Sequence, residues 1–336
     1  MRRTTATSRS RSRARNQTTK TTRLTPVPRP SSPVRTAALT LALAGGSAAV
    51  WATCIERHWY ALRSETLPLL PKGARPIRVL HLSDLHLAPW QQKRMEWVRA
   101  LSDEQPDLIM LTGDLMGHKD ALGPLRYALE PFKGVPGVFV HGSNDYYGPI
   151  LKNPLRYLKE PSRLGTRVPD LDNEALTSML RDDFGWLDLN NRAGDLLVGD
   201  SRLRFFGLGD PHISLDDHEL MQEALGSLDE QHADDEATRI GVVHAPYTDA
   251  LDGLLAMGAS MLFAGHTHGG QVRVPGVGAL TSNCDLSPSK ARGLSVWFSE
   301  ENAAFLHVSA GLGHSIYAPV RFACRPEATL VTMTGR

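Results

Sequence analysis

Three short apolar runs each end on the same kind of polar block, and this repetition constrains the fold more than any other feature of the chain. Ile77–Leu82 leads into Ser83-Asp84-Leu85-His86, Leu108–Thr112 into Gly113-Asp114, and residues 137–141 into Gly142-Ser143-Asn144-Asp145. Helical spacing through Met95, Val98 and Leu101 predicts a helix over residues 91–104, and a second helix fits residues 121–132. Strand, helix, strand, helix, strand is the layout of a largely parallel, helix-covered sheet. Such a sheet gathers ligands at the carboxyl ends of its strands, where these blocks fall.

The second half is richer in strands. A hairpin is predicted over residues 195–208 around Gly199-Asp200-Ser201, followed by strands at 240–244, 261–264, 271–274, 294–298, 304–308 and 328–333. Two more polar blocks sit at strand ends here, Val243-His244-Ala245 and Gly265-His266-Thr267-His268-Gly269-Gly270. Residues 56–75 read as a linker, with Pro68 and Pro71 blocking a continuous helix, and residues 76–336 as one domain. Residues 149–192 interrupt the rhythm with Lys152, Arg156, Lys159, Arg163 and Arg167, then a helix over 173–183. This stretch is read either as a cap insert over the site or as a solvated loop.

Charge is unevenly distributed. Residues 1–35 hold ten Lys or Arg and no acid, in a Ser-, Thr- and Pro-rich context that predicts a disordered basic arm. The remainder has 27 Lys and Arg against 36 Asp and Glu, so a near-neutral chain carries a basic arm on an acidic body. An acidic body without a basic stripe disfavours a nuclease and other nucleic-acid binders. Residues 36–55 carry no formal charge, and twenty helical residues span roughly 30 Å, about one hydrocarbon core. Trp51, Trp59 and Tyr60 follow, as an interfacial aromatic belt would. A single transmembrane anchor is the preferred reading, with a cleaved export signal as the alternative. The basic arm favours a cytoplasmic N-terminus and an extracytoplasmic catalytic body at the cell membrane. Cys54, Cys284 and Cys324 do not fix a compartment; Cys284 and Cys324 can pair only if the fold brings them together.

Asp, His and Asn side chains are hard-to-borderline ligands suited to Mn, Fe or Zn, and seven of them suffice for two ions. The order Asp-x-His, Gly-Asp, Gly-x-Asn-Asp, His, Gly-His-x-His resembles the calcineurin-like metallophosphoesterase superfamily. Gly-His-Thr-His-Gly-Gly-Gln and the tail Gly311-Leu312-Gly313…Pro319-Val320-Arg321-Phe322…Pro326-Glu327 resemble its membrane-associated bacterial branch, some of whose members are labelled as cleaving a UDP-diacylglucosamine pyrophosphate bond. The resemblance implies an α/β fold with a two-sheet β-sandwich flanked by helices. It implies one ion on Asp84, His86 and His268, a second on Asn144, His244 and His266, and Asp114 bridging the two. It further implies hydrolysis of a phosphodiester or pyrophosphate, with a lipid-linked substrate among the candidates, by a hydroxide bridging the cations.

Asp145 departs from the family pattern, in which many members have His after the metal-binding Asn. An ordinary carboxylate titrates near 4 and is a poor proton donor at neutral pH, so Asp145 is expected either to mark a preference for good leaving groups or to orient a neighbour. A metal-stabilised binding or sensor module with lost catalysis is the alternative from another class; within enzymes, cyclic-nucleotide phosphodiesterase and protein phosphatase are the alternatives. His212 and His314 are placed at the rim, and Arg321 and the basic residues of the insert are candidates for phosphate contact.

Overall fold

The computed structural model describes residues 33–150, 167–233 and 236–336. The chain divides into two units, Met1–Gly45 and Gly46–Arg336. Helix α1 (Pro33–Val50) begins in the first unit and has no buried residue. The helical stretch Pro33–His58 is 26 residues long with a mean hydropathy of 1.6, long and apolar enough to cross a membrane. The predicted basic arm lies outside the described residues as far as residue 32.

The second unit contains two six-stranded sheets. The first is built from β1 (Ala61–Leu70), β2 (Ile77–Leu82), β3 (Leu108–Thr112), β4 (Gly137–Val140), β5 (Leu187–Asp188) and β14 (Glu327–Gly335), in the order β1-β14-β2-β3-β4-β5. The second is built from β6 (Arg192–Val198), β7 (Ser201–Gly207), β8 (Thr238–Val242), β9 (Met261–Ala264), β12 (Gly293–Phe298) and β13 (Ala303–Val308), in the order β12-β13-β9-β8-β7-β6. β10 (Arg273–Val274) and β11 (Gly278–Ala279) form a separate two-stranded ribbon, where the sequence predicts one longer strand. β2, β3 and β4 run parallel to one another, as do β7, β8 and β9.

Alternation along the strands explains the layers. Val79, Leu108, Met110, Val138 and Val140 meet Leu203, Phe205, Ile240, Val242 and Phe263 between the sheets. The opposite face of the first sheet offers Leu80, Leu82, Ile109, Leu111 and Phe139 to α2 (Gln92–Ala100) and α3 (Leu122–Leu129), the two helices predicted there. The opposite face of the second sheet packs on α5 (His218–Gln231) and α6 (Thr248–Ala256) through Phe206, Leu262, Leu306, Leu225 and Leu254. Both are helices that the strand pattern alone does not reveal. The result is the predicted helix-flanked two-sheet sandwich. Each fully buried Leu, Ile or Phe in it contributes roughly 1.5–3 kcal/mol.

Two segments differ from expectation. The linker predicted over residues 56–75 contains β1, an edge strand parallel to β14. Pro68 rules out a helix there but not an edge strand, and the pairing with β14 shifts register beside it, between Pro68 and Leu70. Within the insert, α4 (Asn173–Ser178) and the turn after it lie against the first sheet, with Leu176, Met179 and Leu180 in the core. Asp172 caps α4 by accepting from the Ala175 N–H at 2.9 Å. Residues 151–166 of the predicted cap, with Lys152, Arg156, Lys159 and Arg163, lie outside the described residues.

A buried histidine pair crosses the sandwich. His81 Nδ1 lies 2.9 Å from His307 Nδ1, and His81 Nε2 lies 2.8 Å from Thr112 Oγ1. One imidazole donates and the other accepts, and burial favours the neutral form of both rings. Burial brings His307 down to about 4, and burial with the neighbouring His307 takes His81 well below the ordinary value. Unfolding returns each to about 6.5, so this stability is full above 6.5 and falls below it, the share of His307 being lost as pH falls through about 4. We expect thermal melts of the metal-free protein to fall over that window. His307→Gln should remove the share carried by its imidazole, on the order of 3 kcal/mol. An unchanged acid slope in the variant would refute this role.

Candidate metal centre

The five polar blocks meet because the strands before them end at the same edge of the sandwich. Asp84 and His86 follow β2, Asp114 follows β3, Asn144 and Asp145 follow β4, His244 follows β8, and His266 and His268 follow β9. Five of these residues leave their strands with left-handed backbone: Asp84 (φ 51°), His86 (φ 40°), Asp114 (φ 54°), His266 (φ 66°) and His268 (φ 49°). Outside glycine this conformation costs roughly 1–3 kcal/mol per residue, and such costs cluster where geometry serves function. Gly142 permits the close approach of two loops, since a Cβ there would lie 2.6 Å from His244 Nε2 and collide with Asp114 Oδ1.

Ligand atoms of Asp84, His86, Asp114 and His268 lie within 4.8 Å of one another. His86 Nε2 is 3.3 Å from His268 Nε2 and 3.4 Å from Asp114 Oδ2, and His268 Nε2 is 3.7 Å from Asp84 Oδ1. On the other side of Asp114, His244 Nε2 is 3.5 Å from Oδ1. Asn144 holds the same carboxylate, its backbone N–H donating to Oδ1 at 2.7 Å and its amide to Oδ2 at 2.8 Å. The ring of His266 stands 5.3 Å from that of His244.

Backbone carbonyls set the tautomers. His244 Nδ1 lies 2.6 Å from Thr112 O and His266 Nε2 lies 3.1 Å from Asn283 O. A carbonyl only accepts, so these nitrogens carry protons; His266 Nδ1 keeps its lone pair, and His244 Nε2 would offer one to a cation that displaces its second proton. Asp84 Oδ1 and His244 Nε2 are buried and have no hydrogen-bond partner. Buried acceptors of this kind are costly unless a cation or proton satisfies them. The donor set therefore fits divalent metal.

Electrostatics point the same way. Burial pushes Asp84 up to about 6 against the pull of His244. Burial also raises Asp114, but His244, His86 and the Asn144 N–H outweigh it and bring that carboxyl down to about 2. Burial lowers His244, and the charges of Asp114, Asp210 and Asp84 more than offset this, lifting it to about 9. His266 and His268 are held well below the usual range, first by burial and then by neighbouring histidines.

A cavity of about 400 Å³ opens over this cluster. His86, Asp114, Asn144, His266 and His268 line it, together with Arg167, His212 and an apolar wall that includes Ile150, Val272, Leu280 and Val320. His212 sits where the rim was expected, with Nδ1 3.0 Å from the Tyr247 hydroxyl. Asp145 is fully buried, accepting N–H donors from Leu115 at 2.7 Å, Gly142 at 2.9 Å and Met116 at 3.0 Å. It braces the loop that carries Asp114. Burial and the Asp114 charge push it up to about 7.

Arg321 is also buried. It donates to the carbonyls of Gly313 at 2.6 Å, Gly311 at 3.0 Å and His268 at 3.2 Å, supporting His268 from behind. His314 is buried against the Ser315 carbonyl. All three cysteines are unpaired, and Cys324 Sγ approaches the carbonyls of His268 and Gly269 at 3.3 and 3.5 Å. One acidic residue near the cluster, Asp210, was missed in the sequence. The signal was available, because Gly209-Asp210 follows β7 much as Gly113-Asp114 follows β3.

A helix-flanked double sheet with carboxylates and neutral imidazoles collected at its strand ends defines a metal-binding α/β protein. The chain belongs to the calcineurin-like phosphoesterase family, whose sequence pattern matches residues 77–270, and is thus a phosphoesterase-type hydrolase. It is 26% identical to the uncharacterized protein YpbG of Bacillus subtilis over 303 residues, covering 88% of this chain and 95% of that one. It is 23% identical to phosphodiesterase YaeI of Escherichia coli over 289 residues, covering 83% and 90% of the two. A bovine transmembrane protein with metallophosphoesterase domain is 26% identical over 270 residues, covering 77% of this chain and 53% of that protein.

Proposed function

We propose that this protein is a membrane-anchored, dinuclear-metal phosphoesterase that hydrolyses a phosphodiester or pyrophosphate. The observation that carries the reading is the convergence on Asp114, with the Asp84, His86 and His268 donors on one side and His244 with His266 on the other. In this reading Asp84, His86, Asp114 and His268 hold one cation, and Asp114, Asn144, His244 and His266 hold the second. Divalent cations bound there supply charge neutralisation for a phosphoryl group and acidify water. The chain's own part is to fix the donors. Thr112 and Asn283 orient two imidazoles, Asn144 grips the central carboxylate, and the bracing by Asp145 and Arg321 keeps the loops from relaxing.

A diester is favoured by the name of the E. coli relative and by a cavity with an apolar wall beside the charged floor, room for a second substituent on phosphorus. The apolar wall and the Pro33–His58 helix together make a lipid-linked phosphoester a fitting substrate. The helix end is stitched to the body: Ala52 O accepts from the Arg321 N–H at 3.0 Å, and Glu56 accepts from the Cys324 N–H at 2.6 Å. The apolar helix supports anchoring in the cell membrane, and the basic arm before it supports placing the catalytic body outside.

The full-length protein, metal-stripped and resupplied with Mn²⁺, Zn²⁺ or Fe²⁺, should hydrolyse bis-p-nitrophenyl phosphate faster than p-nitrophenyl phosphate. Metal-dependent turnover favouring the diester is the expected outcome. No turnover of either ester with two ions tightly bound would instead identify a metal-stabilised binding module.

A further inference from the structure

Asp210 is a fully buried carboxylate to which the proposed chemistry assigns no role. It lies just beyond β7, which pairs in parallel with β8 so that Gly207 faces Val242, and His244 lies just beyond β8. The backbone therefore brings Asp210 and His244 out at the same edge. Oδ1 of Asp210 accepts the His212 N–H at 3.0 Å, while Oδ2 is buried and has no partner. The charged groups that bear on it are His244 and Asp114, the same two that would flank the second cation, and the Ser143 N–H faces it from the turn after β4.

Two buried polar atoms without hydrogen-bond partners, Asp210 Oδ2 and His244 Nε2, therefore lie beyond the ends of adjacent parallel strands. His244 Nδ1 is turned to the Thr112 carbonyl, so Nε2 is the atom that faces the cluster, and it makes no hydrogen bond to Asp210 Oδ2. The Asn144 amide already donates to Asp114. Among the described residues no hydrogen bond reaches Asp210 Oδ2, and a divalent cation that displaces the extra proton of His244 would satisfy this carboxylate and the imidazole together.

We propose that Asp210 supplies a carboxylate oxygen to the second cation position, beside Asp114, His244 and His266. This rests on the dinuclear reading above, and the test separates the two. Full-length wild type, Asp210→Asn and Asp210→Ala are metal-stripped and titrated with Mn²⁺. Bound metal is counted by elemental analysis, paramagnetic resonance reports coupled against isolated Mn²⁺, and melting is followed with and without metal.

The wild type should take up two Mn²⁺ with a coupled spectrum. Both variants should bind the second Mn²⁺ at least ~10-fold more weakly and show the isolated-ion spectrum, while their metal-free forms melt no lower than wild type. Two Mn²⁺ retained at unchanged affinity with the coupled spectrum would overturn the assignment. So would metal-free variants that melt well below wild type, since Asp210 would then be a structural residue. A wild type that binds only one Mn²⁺ would sink the dinuclear reading itself.

Discussion

Asp114→Asn is expected to lower metal-dependent phosphodiester hydrolysis by roughly 10³-fold or more, beyond the 10–100-fold typical of residues that merely support a ligand. Asp114 lies between the two groups of donors, 3.4 Å from His86 Nε2 and 3.5 Å from His244 Nε2 through its two different oxygens. Despite its burial the carboxyl sits at about 2, so it is ionised across any working pH. The amide keeps the shape but loses the charge and one acceptor. It also turns an N–H₂ toward an imidazole lone pair or toward the Asn144 amide, which now donates to that position. Bound metal should fall with kcat/KM, measured on bis-p-nitrophenyl phosphate with elemental analysis of the same samples. A variant within about tenfold of wild type would show that this carboxylate is not the bridge.

Asp145→Ala should act through the fold before it acts through the chemistry. The substitution strands the N–H groups of Leu115, Met116 and Gly142, all buried, and an unsatisfied buried donor costs about 1–3 kcal/mol. With partial relaxation the total should be about 3–5 kcal/mol, lowering Tm by about 10 °C. Because those donors belong to the loops that carry Asp114 and Asn144, turnover should fall alike for aryl and alkyl diesters. A loss confined to poor leaving groups, with Tm unchanged, would mean that Asp145 delivers a proton instead. Asp145→Asn, which keeps an acceptor of the same size, should lose less stability.

Most of the site is legible in the chain because its grammar is local. A buried strand that ends in Gly-Asp or Asp-x-His announces a turn and a ligand at once, and Leu108–Thr112 and Met261–Ala264 begin and end where their apolar runs do. The edge strand β1 was hidden by Pro68, a helix breaker that a sheet edge tolerates. α5 and α6 were hidden in a region whose apolar runs are dominated by strands.

Side-chain partners are a different matter. The residue types at positions 84, 86, 114, 144, 244, 266 and 268 are enough to indicate metal chemistry, since ligand hardness belongs to the side chain itself. Whether Asp145 faces the cavity or the backbone, whether Arg321 meets phosphate or three carbonyls, and whether Asp210 stands near His244 all depend on which strand ends become neighbours. Those neighbours come from the packing of two sheets whose strands lie far apart in the chain, as β2 and β9 do. Local residue identity determined the chemistry this protein can hold; long-range packing decided which groups are aimed at it.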